Sequence, residues 1–322
     1  MILTLTANPS VDRTVTLTGP LQRGAVLRAA SMTSQAGGKG VNISRAAVSA
    51  GLPTVAVLPA APDDPFVAEL RAAGIDCRAL EPAGPVRVNL TISEPDGTTT
   101  KLNNPGAAVE QRHLDLLADA VVGLAAEATW VVLAGSLPPG APAGWYAELV
   151  GRLRATPARV AVDTSEAPLA ALADALPGAA PDLMKPNGEE LATIVGADPV
   201  ALEGDPGAAA RAARTLVDRG VGAVLVTLGG SGAVLVTADG AWHAAAPPTA
   251  VVSTVGAGDS SLFGYLLAAE RGLRSAERLA LAVAYGSAAA ALPGTTIPRP
   301  DDVDASLVHA APLTPGATPA VP

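Results

Sequence analysis

A single cysteine, Cys77, stands among 322 residues, which excludes an internal disulfide framework and any cysteine-based zinc or iron–sulfur site. It is expected as a small, partly buried hydrophobe in a reducing compartment. The three histidines, His113, His243 and His309, are scattered and form no metal-ligand spacing. Aromatic residues are only 2% of the chain, which argues against a nucleobase-stacking surface. Positive charge is also scarce: 21 Lys and Arg against 30 Asp and Glu give a formal charge of −9. No broad basic face therefore exists for nucleic acid or anionic lipid. No unbroken apolar run reaches the roughly 18 residues of a membrane span, and the first residues carry no basic segment ahead of an apolar one. These absences predict a cytoplasmic protein with neither nucleic-acid nor membrane partners.

Apolar residues are plentiful at 49%, enough for a large core. Apolar runs of strand length at residues 2–6, 54–58, 130–134, 159–163, 223–227 and 233–236 alternate with helical patterns. The helical patterns cover residues 40–50, 64–73, 110–126, 144–154, 189–195, 206–219, 257–270 and 275–291. Such alternation predicts an α/β fold, a mostly parallel sheet with helices on both faces and ligands at the carboxyl ends of the strands. Residues 11–18 and 86–102 break the rhythm. They alternate polar and β-branched residues, the second stretch around a Pro-Asp-Gly turn, and read as a small β lid. The expected division is an α/β core of residues 1–10, 34–84 and 105–300, a lid of 11–33 and 85–104, and a Pro-rich tail of 301–322. The lid strands offer a surface for a homodimer.

Two glycine turns open helical patterns. In Gly256-Ala257-Gly258-Asp259 the amides can converge on one concavity, and the helix start adds its positive end. That suits an anion such as a phosphoryl group, although a plain helix cap explains the pattern as well. An Asp259 in this first turn is expected to stay ionised and to be a weak base. In Gly37-Gly38-Lys39-Gly40, position 40 lacks the Ser or Thr of a Walker A loop, yet the turn can still hold a phosphate or sugar hydroxyls. Lysine usage adds weight: only Lys39, Lys101 and Lys185 occur, all in turns or strand ends, while arginine supplies the generic charge. Other chemistries fail on spacing. Gly229-Gly230-Ser231-Gly232 lacks the last glycine of a nucleophile elbow, and no dinucleotide-binding glycine pattern follows the first strand.

With Asn8-Pro9-Ser10-Val11-Asp12, Gly135-Ser136-Leu137-Pro138, Lys185-Pro186-Asn187-Gly188-Glu189-Glu190 and Gly229–Gly232 in order, the chain resembles the PfkB (ribokinase-like) sugar kinases. Within them it is most similar to the 1-phosphofructokinase and tagatose-6-phosphate kinase branch, over roughly residues 1–300. The resemblance implies an ATP- and Mg²⁺-dependent kinase of a phosphosugar, most of all D-fructose 1-phosphate. It implies Asp259 as catalytic base, with Gly256, Ala257 and Gly258 as the anion hole. Asn187 and Glu190 are implied to organise magnesium through water, and Lys185, Asn187, Thr227, Gly229, Gly230 and Gly232 to face the nucleotide. Asp12, Gly38 and Asn42 are implied at the sugar hydroxyls. Arg28, Lys39, Arg87, Lys101 and Ser136 are implied at the phosphate the substrate already carries. A tagatose-6-phosphate or fructose-6-phosphate kinase, a free-sugar kinase and a non-catalytic sugar-phosphate regulator remain as alternatives.

Overall fold

The computed structural model describes residues 1–313. The chain runs through β1 (Ile2–Leu5), β2 (Ser10–Leu17), β3 (Ala29–Gly37), α1 (Lys39–Ser49), β4 (Thr54–Pro59), α2 (Pro65–Ala72) and β5 (Asp76–Leu80). It continues through β6 (Arg87–Ser93), β7 (Thr99–Leu102), α3 (Gln111–Ala125), β8 (Trp130–Ala134), α4 (Trp145–Leu153), β9 (Arg159–Asp163) and α5 (Glu166–Asp174). Then come β10 (Leu183–Met184), α6 (Gly188–Val195), α7 (Pro199–Gly204), α8 (Pro206–Val217), β11 (Ala223–Thr227), β12 (Ala233–Thr237) and β13 (Gly240–Ala244). Last are α9 (Ala257–Glu270), α10 (Ser275–Ala290) and β14 (Ala310–Pro312). No helix among the described residues is long and apolar enough to cross a membrane.

Ten strands form one sheet in the order β14-β13-β12-β11-β10-β9-β8-β1-β4-β5. From β11 to β5 every neighbouring pair is parallel, and the pairs β11–β12, β12–β13 and β13–β14 are antiparallel. The central strands are apolar at consecutive positions because both faces are covered. Leu3, Leu5, Val131 and Leu133 pack against α3, α4 and α8 on one face. Ile2, Trp130, Val132 and Ala134 pack against α1, α9 and α10 on the other. Helix α9 is flanked by α1 and α10 and shares their core on this face of the sheet, which is why its middle is buried and apolar all round.

A second sheet, β3-β2-β6-β7, stands beside the first. Its inner face carries Ser10 and Asp12 on β2 with Arg87 and Asn89 on β6, registered Ser10 to Arg87 and Asp12 to Asn89. Its outer face carries Met32, Val88 and Leu102, all exposed. The lid differs from expectation in its third strand: β3 runs to Gly37, so residues 34–37 belong to the lid and not to the core. Its sequence, Ala-Ala-Ser-Met-Thr-Ser-Gln-Ala-Gly, has little β propensity, and pairing with β2 imposes the strand. The expected loose tail differs too. Its described part, residues 301–313, folds back, and β14 pairs with β13 to cover that sheet edge. Residues 314–322 lie outside the described part.

Candidate active site

Five parallel strands deliver residues to one cavity of about 490 Å³ beneath the lid. Thr6 follows β1, Gly135 and Ser136 follow β8, Ser165 follows β9, Lys185 follows β10 and Thr227 ends β11. Asp12, Arg87 and Asn89 close it from the lid. This is the carboxyl-end position expected of a parallel sheet.

The first glycine turn sits where the lid strand β3 becomes α1. Gly38 has φ 116°, and a side chain there would stand 2.6 Å from Thr6 Cγ2, so only glycine fits. The Val41 amide donates to Thr6 Oγ1 at 3.1 Å and pins the helix start to β1. Lys39 thereby projects into the cavity, and Asn42 follows one turn on. Asn42 Nδ2 donates to Asp259 Oδ2 at 2.8 Å, joining the two glycine turns across 217 residues of sequence.

Asp259 lies in the first turn of α9, after a left-handed Gly256 with φ 79°. The amides of this turn have no acceptor within the helix. Asp259 is buried, and its pKa is pushed up to about 6. Burial is the main cause, with Asp163 adding to it; Lys39, the Asn42 hydrogen bond and Lys185 pull the other way. The expected fully ionised weak base is therefore corrected: desolvation outweighs the helix end, and Asp259 is a stronger base than a solvated carboxylate.

Both site lysines converge on one acid. Asp163 Oδ1 is 2.7 Å from Lys39 Nζ, and its Oδ2 is 3.2 Å from Lys185 Nζ. Asp163 is fully buried, and burial alone would raise its pKa; Lys185 and Lys39 together hold it below the ordinary carboxylate range. Burial likewise opposes the charge on Lys39, but Asp163 and then Asp259 overcome it and hold the ammonium above the usual lysine range. Gly258 makes room for this arrangement, because a Cβ there would lie 3.2 Å from Lys185 Nζ. The result is two ammonium groups beside the positive end of α9, a strong anion site.

Lys185, Asn187 and Thr227, expected to face the nucleotide, line the cavity, and Asn187 and Thr227 form a parallel β bridge. Asn187 caps α6: its Oδ1 accepts from the Glu190 amide at 2.7 Å, while Glu190 Oε2 accepts from the Asn187 amide at 2.8 Å. One Glu190 oxygen is left over, and Glu190 also lines the cavity. Gly229 and Gly230 form a short exposed turn, and Gly232, with φ 89°, ends it; none of the three lines the cavity. Beneath the lid Asp12 Oδ1 accepts from Ser10 Oγ at 2.8 Å and from Asn89 Nδ2 at 3.1 Å. The Asn89 Oδ1 atom is buried without a partner. Arg87 donates to the Asn104 carbonyl at 2.8 Å and to Ser136 Oγ at 3.4 Å, while its Nε has no partner. Burial pulls its pKa down and Asp12 pushes back.

Of the residues expected in the site, Asp12, Gly38, Lys39, Asn42, Arg87, Ser136, Lys185, Asn187, Glu190, Thr227, Gly256, Gly258 and Asp259 meet at this cavity, and Ala257 stands between two of them. Arg28, just ahead of β3, and Lys101, on β7, are exposed and do not line it. Asn89 and Asn8 also line it, and the fully buried Asp163 stands behind it, bonded to Lys39 and Lys185; sequence reasoning missed all three. The signal for Asp163 was present: two rare lysines near buried strand ends require a counter-ion, and an acid closes the strand between them.

The pfkB family carbohydrate kinase domain matches residues 5–302. The chain belongs to the pfkB family of carbohydrate kinases. It is 40% identical over 304 residues to 1-phosphofructokinase of Rhodobacter capsulatus, covering 93% of each chain. It is 39% identical over 265 residues to 1-phosphofructokinase of Xanthomonas campestris, covering 81% of this chain and 82% of that one. In architecture it is similar to phosphofructokinase-2 of Escherichia coli solved with substrates and products, with a TM-score of 0.85 and 30% identity over 94% of this chain and 96% of that chain. The pfkB fold explains the two sheets: one carries the ends of the catalytic strands and the other roofs them.

Proposed function

We propose that the protein transfers the γ-phosphoryl group of ATP to the free primary hydroxyl of D-fructose 1-phosphate, giving fructose 1,6-bisphosphate. The observation that carries this reading is the division of the cavity. A buried base and two ammonium groups stand at one end, and Arg87 with Ser136 stands at the other. A free sugar needs hydroxyl partners only, whereas a phosphosugar also needs a cation at the far end of the acceptor. Of the four cations expected at that phosphate, Arg28 and Lys101 are exposed outside the cavity and Lys39 is held by Asp163 beside Asp259, so Arg87 alone carries that part of the argument.

Asp12, held by Ser10 and Asn89, accepts hydroxyls of the sugar, and the unpartnered Asn89 Oδ1 accepts one more. Arg87 offers its free donors to the phosphate already present. Asn42 fixes one oxygen of Asp259, leaving Oδ1 to take the proton of the attacking hydroxyl. The first-turn amides of α9, with Lys39 and Lys185, stabilise charge on the phosphoryl group in flight. The lid keeps water from competing as acceptor. Magnesium would be held by the spare Glu190 oxygen and Asn187 through water, since the Asn187 carbonyl oxygen is committed to its cap. No cluster of three His, Cys, Asp or Glu side chains exists among the described residues, so the donor set suits an ion that arrives with ATP. Bound there, Mg²⁺ neutralises charge between the phosphates. Arg28 and Lys101, outside this cavity, retain a part only if a lid movement or a second copy brings them to the acceptor. The apolar outer lid face suits a homodimer, and ATP as co-substrate suits the cytoplasm.

The test is Arg87→Met. We expect KM for the phosphosugar to rise about tenfold to a hundredfold, with KM for ATP little changed. Equal damage to both constants would contradict the assignment of Arg87.

A further inference from the structure

At the opposite end of the sheet, where the parallel strands begin, a second cavity of about 730 Å³ lies between β8, β9, β11 and the α9–α10 pair. The chain has only three tryptophans and three tyrosines, yet Trp130, Trp242 and Tyr265 all line it. Trp130 and Tyr265 meet edge to face with ring centroids 6.4 Å apart, and Trp242 on β13 is half-buried. Three arginines share the wall. The Arg159 guanidinium carbon is 4.3 Å from the centroid of the Trp130 ring, and that of Arg278 is 5.9 Å from the Tyr265 centroid. Arg274 stands at the start of α10.

The donors here are not used up. A guanidinium offers five N–H groups. Arg278 spends Nε on the Leu273 carbonyl at 2.6 Å and makes no ion pair among the described residues. Arg159 reaches an acid, Glu270, only at 3.6 Å. The Trp130 indole Nε1 has no hydrogen-bond partner. Ser275 and Ala276, whose amides belong to the first turn of the 16-residue α10, line the same space. Four carboxylates stand near these donors: Glu277 pairs with Arg274 at 3.3 Å, Glu270 faces Arg159, Asp182 commits Oδ2 to the Val160 amide at 2.7 Å, and Asp239 is exposed. That leaves Arg278 as the guanidinium without an acid among the described residues.

Trp130 and Tyr265 are buried in the floor, but the half-buried Trp242 ring beside the spare donors of Arg278 and the unpartnered Trp130 Nε1 favours a flat molecule carrying negative charge, whose ring packs on Trp242 while its anion takes the forked donors. We propose that this cavity is a second ligand site, shaped for a small planar aromatic anion of the aryl phosphate or aryl carboxylate class. None of its residues belongs to the catalytic cavity, so phosphoryl transfer does not account for them.

Phenyl phosphate is the probe, titrated calorimetrically into the full chain, with phenol and inorganic phosphate as separate arms. Saturable binding is expected, weakened about tenfold or more by Arg278→Met and by Trp242→Leu while both variants keep kinase turnover. Phenol and phosphate alone should each bind about tenfold weaker or worse. Circular dichroism checks that each variant folds. Should Arg278→Met fail to fold, Arg274→Met, an exposed site, replaces it with the same expected loss. The proposal is overturned by no saturable heat up to about 10 mM probe. It is equally overturned by binding that survives the substitutions, which puts the probe elsewhere, or by phosphate binding as tightly as phenyl phosphate, which makes the aromatic wall irrelevant.

Discussion

Burial makes Asp259 a better base, and the fold gives up stability for it. Its carboxyl titrates near 6, so kcat/KM is expected to rise about tenfold per pH unit below that value and to level off above it. A profile that levels near pH 4 would show that the carboxyl is not desolvated. The linkage sign follows from the raised value. The protonated form is favoured in the folded chain, so this stabilisation is present below about pH 4 and lost as pH rises through about 6. Asp259→Asn should therefore lose about 10²–10⁴ in turnover yet gain on the order of 1–3 kcal/mol of stability at pH 8, read by thermal unfolding. Asp163 works in the other direction, because two lysines depend on it. Asp163→Asn should cost about 3–5 kcal/mol in urea unfolding, the usual penalty for breaking a buried ion pair from one side. A cost under about 1 kcal/mol would mean the lysines find water instead. Asp259 and Lys39 were legible in the sequence because glycine turns announce them. Asp163 went unread although two rare lysines called for a counter-ion, because at the end of an apolar run an acid looks like ordinary punctuation.

Among the elements, those with double-sided apolar runs or long amphipathic periods were legible: β1, β4, β8, β9, β11 and β12, with eight of the helices. Those missed owe their form to a neighbour. The two-residue β10 is defined by pairing with β9 and β11, β3 by pairing with β2, and β14 by the open edge of β13. The lid illustrates how one strand serves two surfaces. Alternation along β2 and β6 sends Asp12 and Asn89 to the cavity and Val15, Val88 and Ile92 to the opposite face. With Met32 and Leu102 exposed beside them, that opposite face is the expected homodimer surface. Wild-type protein should elute as a dimer in light scattering, and Met32→Glu with Leu102→Glu should give a monomer. A wild-type monomer, or a doubly substituted dimer, would place the contact elsewhere or remove it.

At the scale of the whole molecule, the sheet gathers residues 217 positions apart into one hydrogen bond, Asn42 to Asp259, and no local pattern could have stated that contact. The polarity of the sheet explains why the active cavity lies where it does: parallel strands bring their carboxyl ends, and the helix N-termini that follow them, to a single side. The lid adds Asp12, Asn89 and Arg87 to the cavity, the groups proposed for the hydroxyls and the phosphate of the acceptor. The central claim is that this combination selects a phosphorylated acceptor, and initial rates of ATP-dependent turnover test it most directly. The acceptors are fructose 1-phosphate, fructose 6-phosphate, tagatose 6-phosphate, fructose and ribose, each run with Asp259→Asn as control. The account predicts the highest kcat/KM for fructose 1-phosphate, lower values for the 6-phosphates, little turnover of the free sugars and near-complete loss in the variant. Turnover of free fructose or ribose equal to that of the phosphosugars would contradict it, and with it the role given to Arg87.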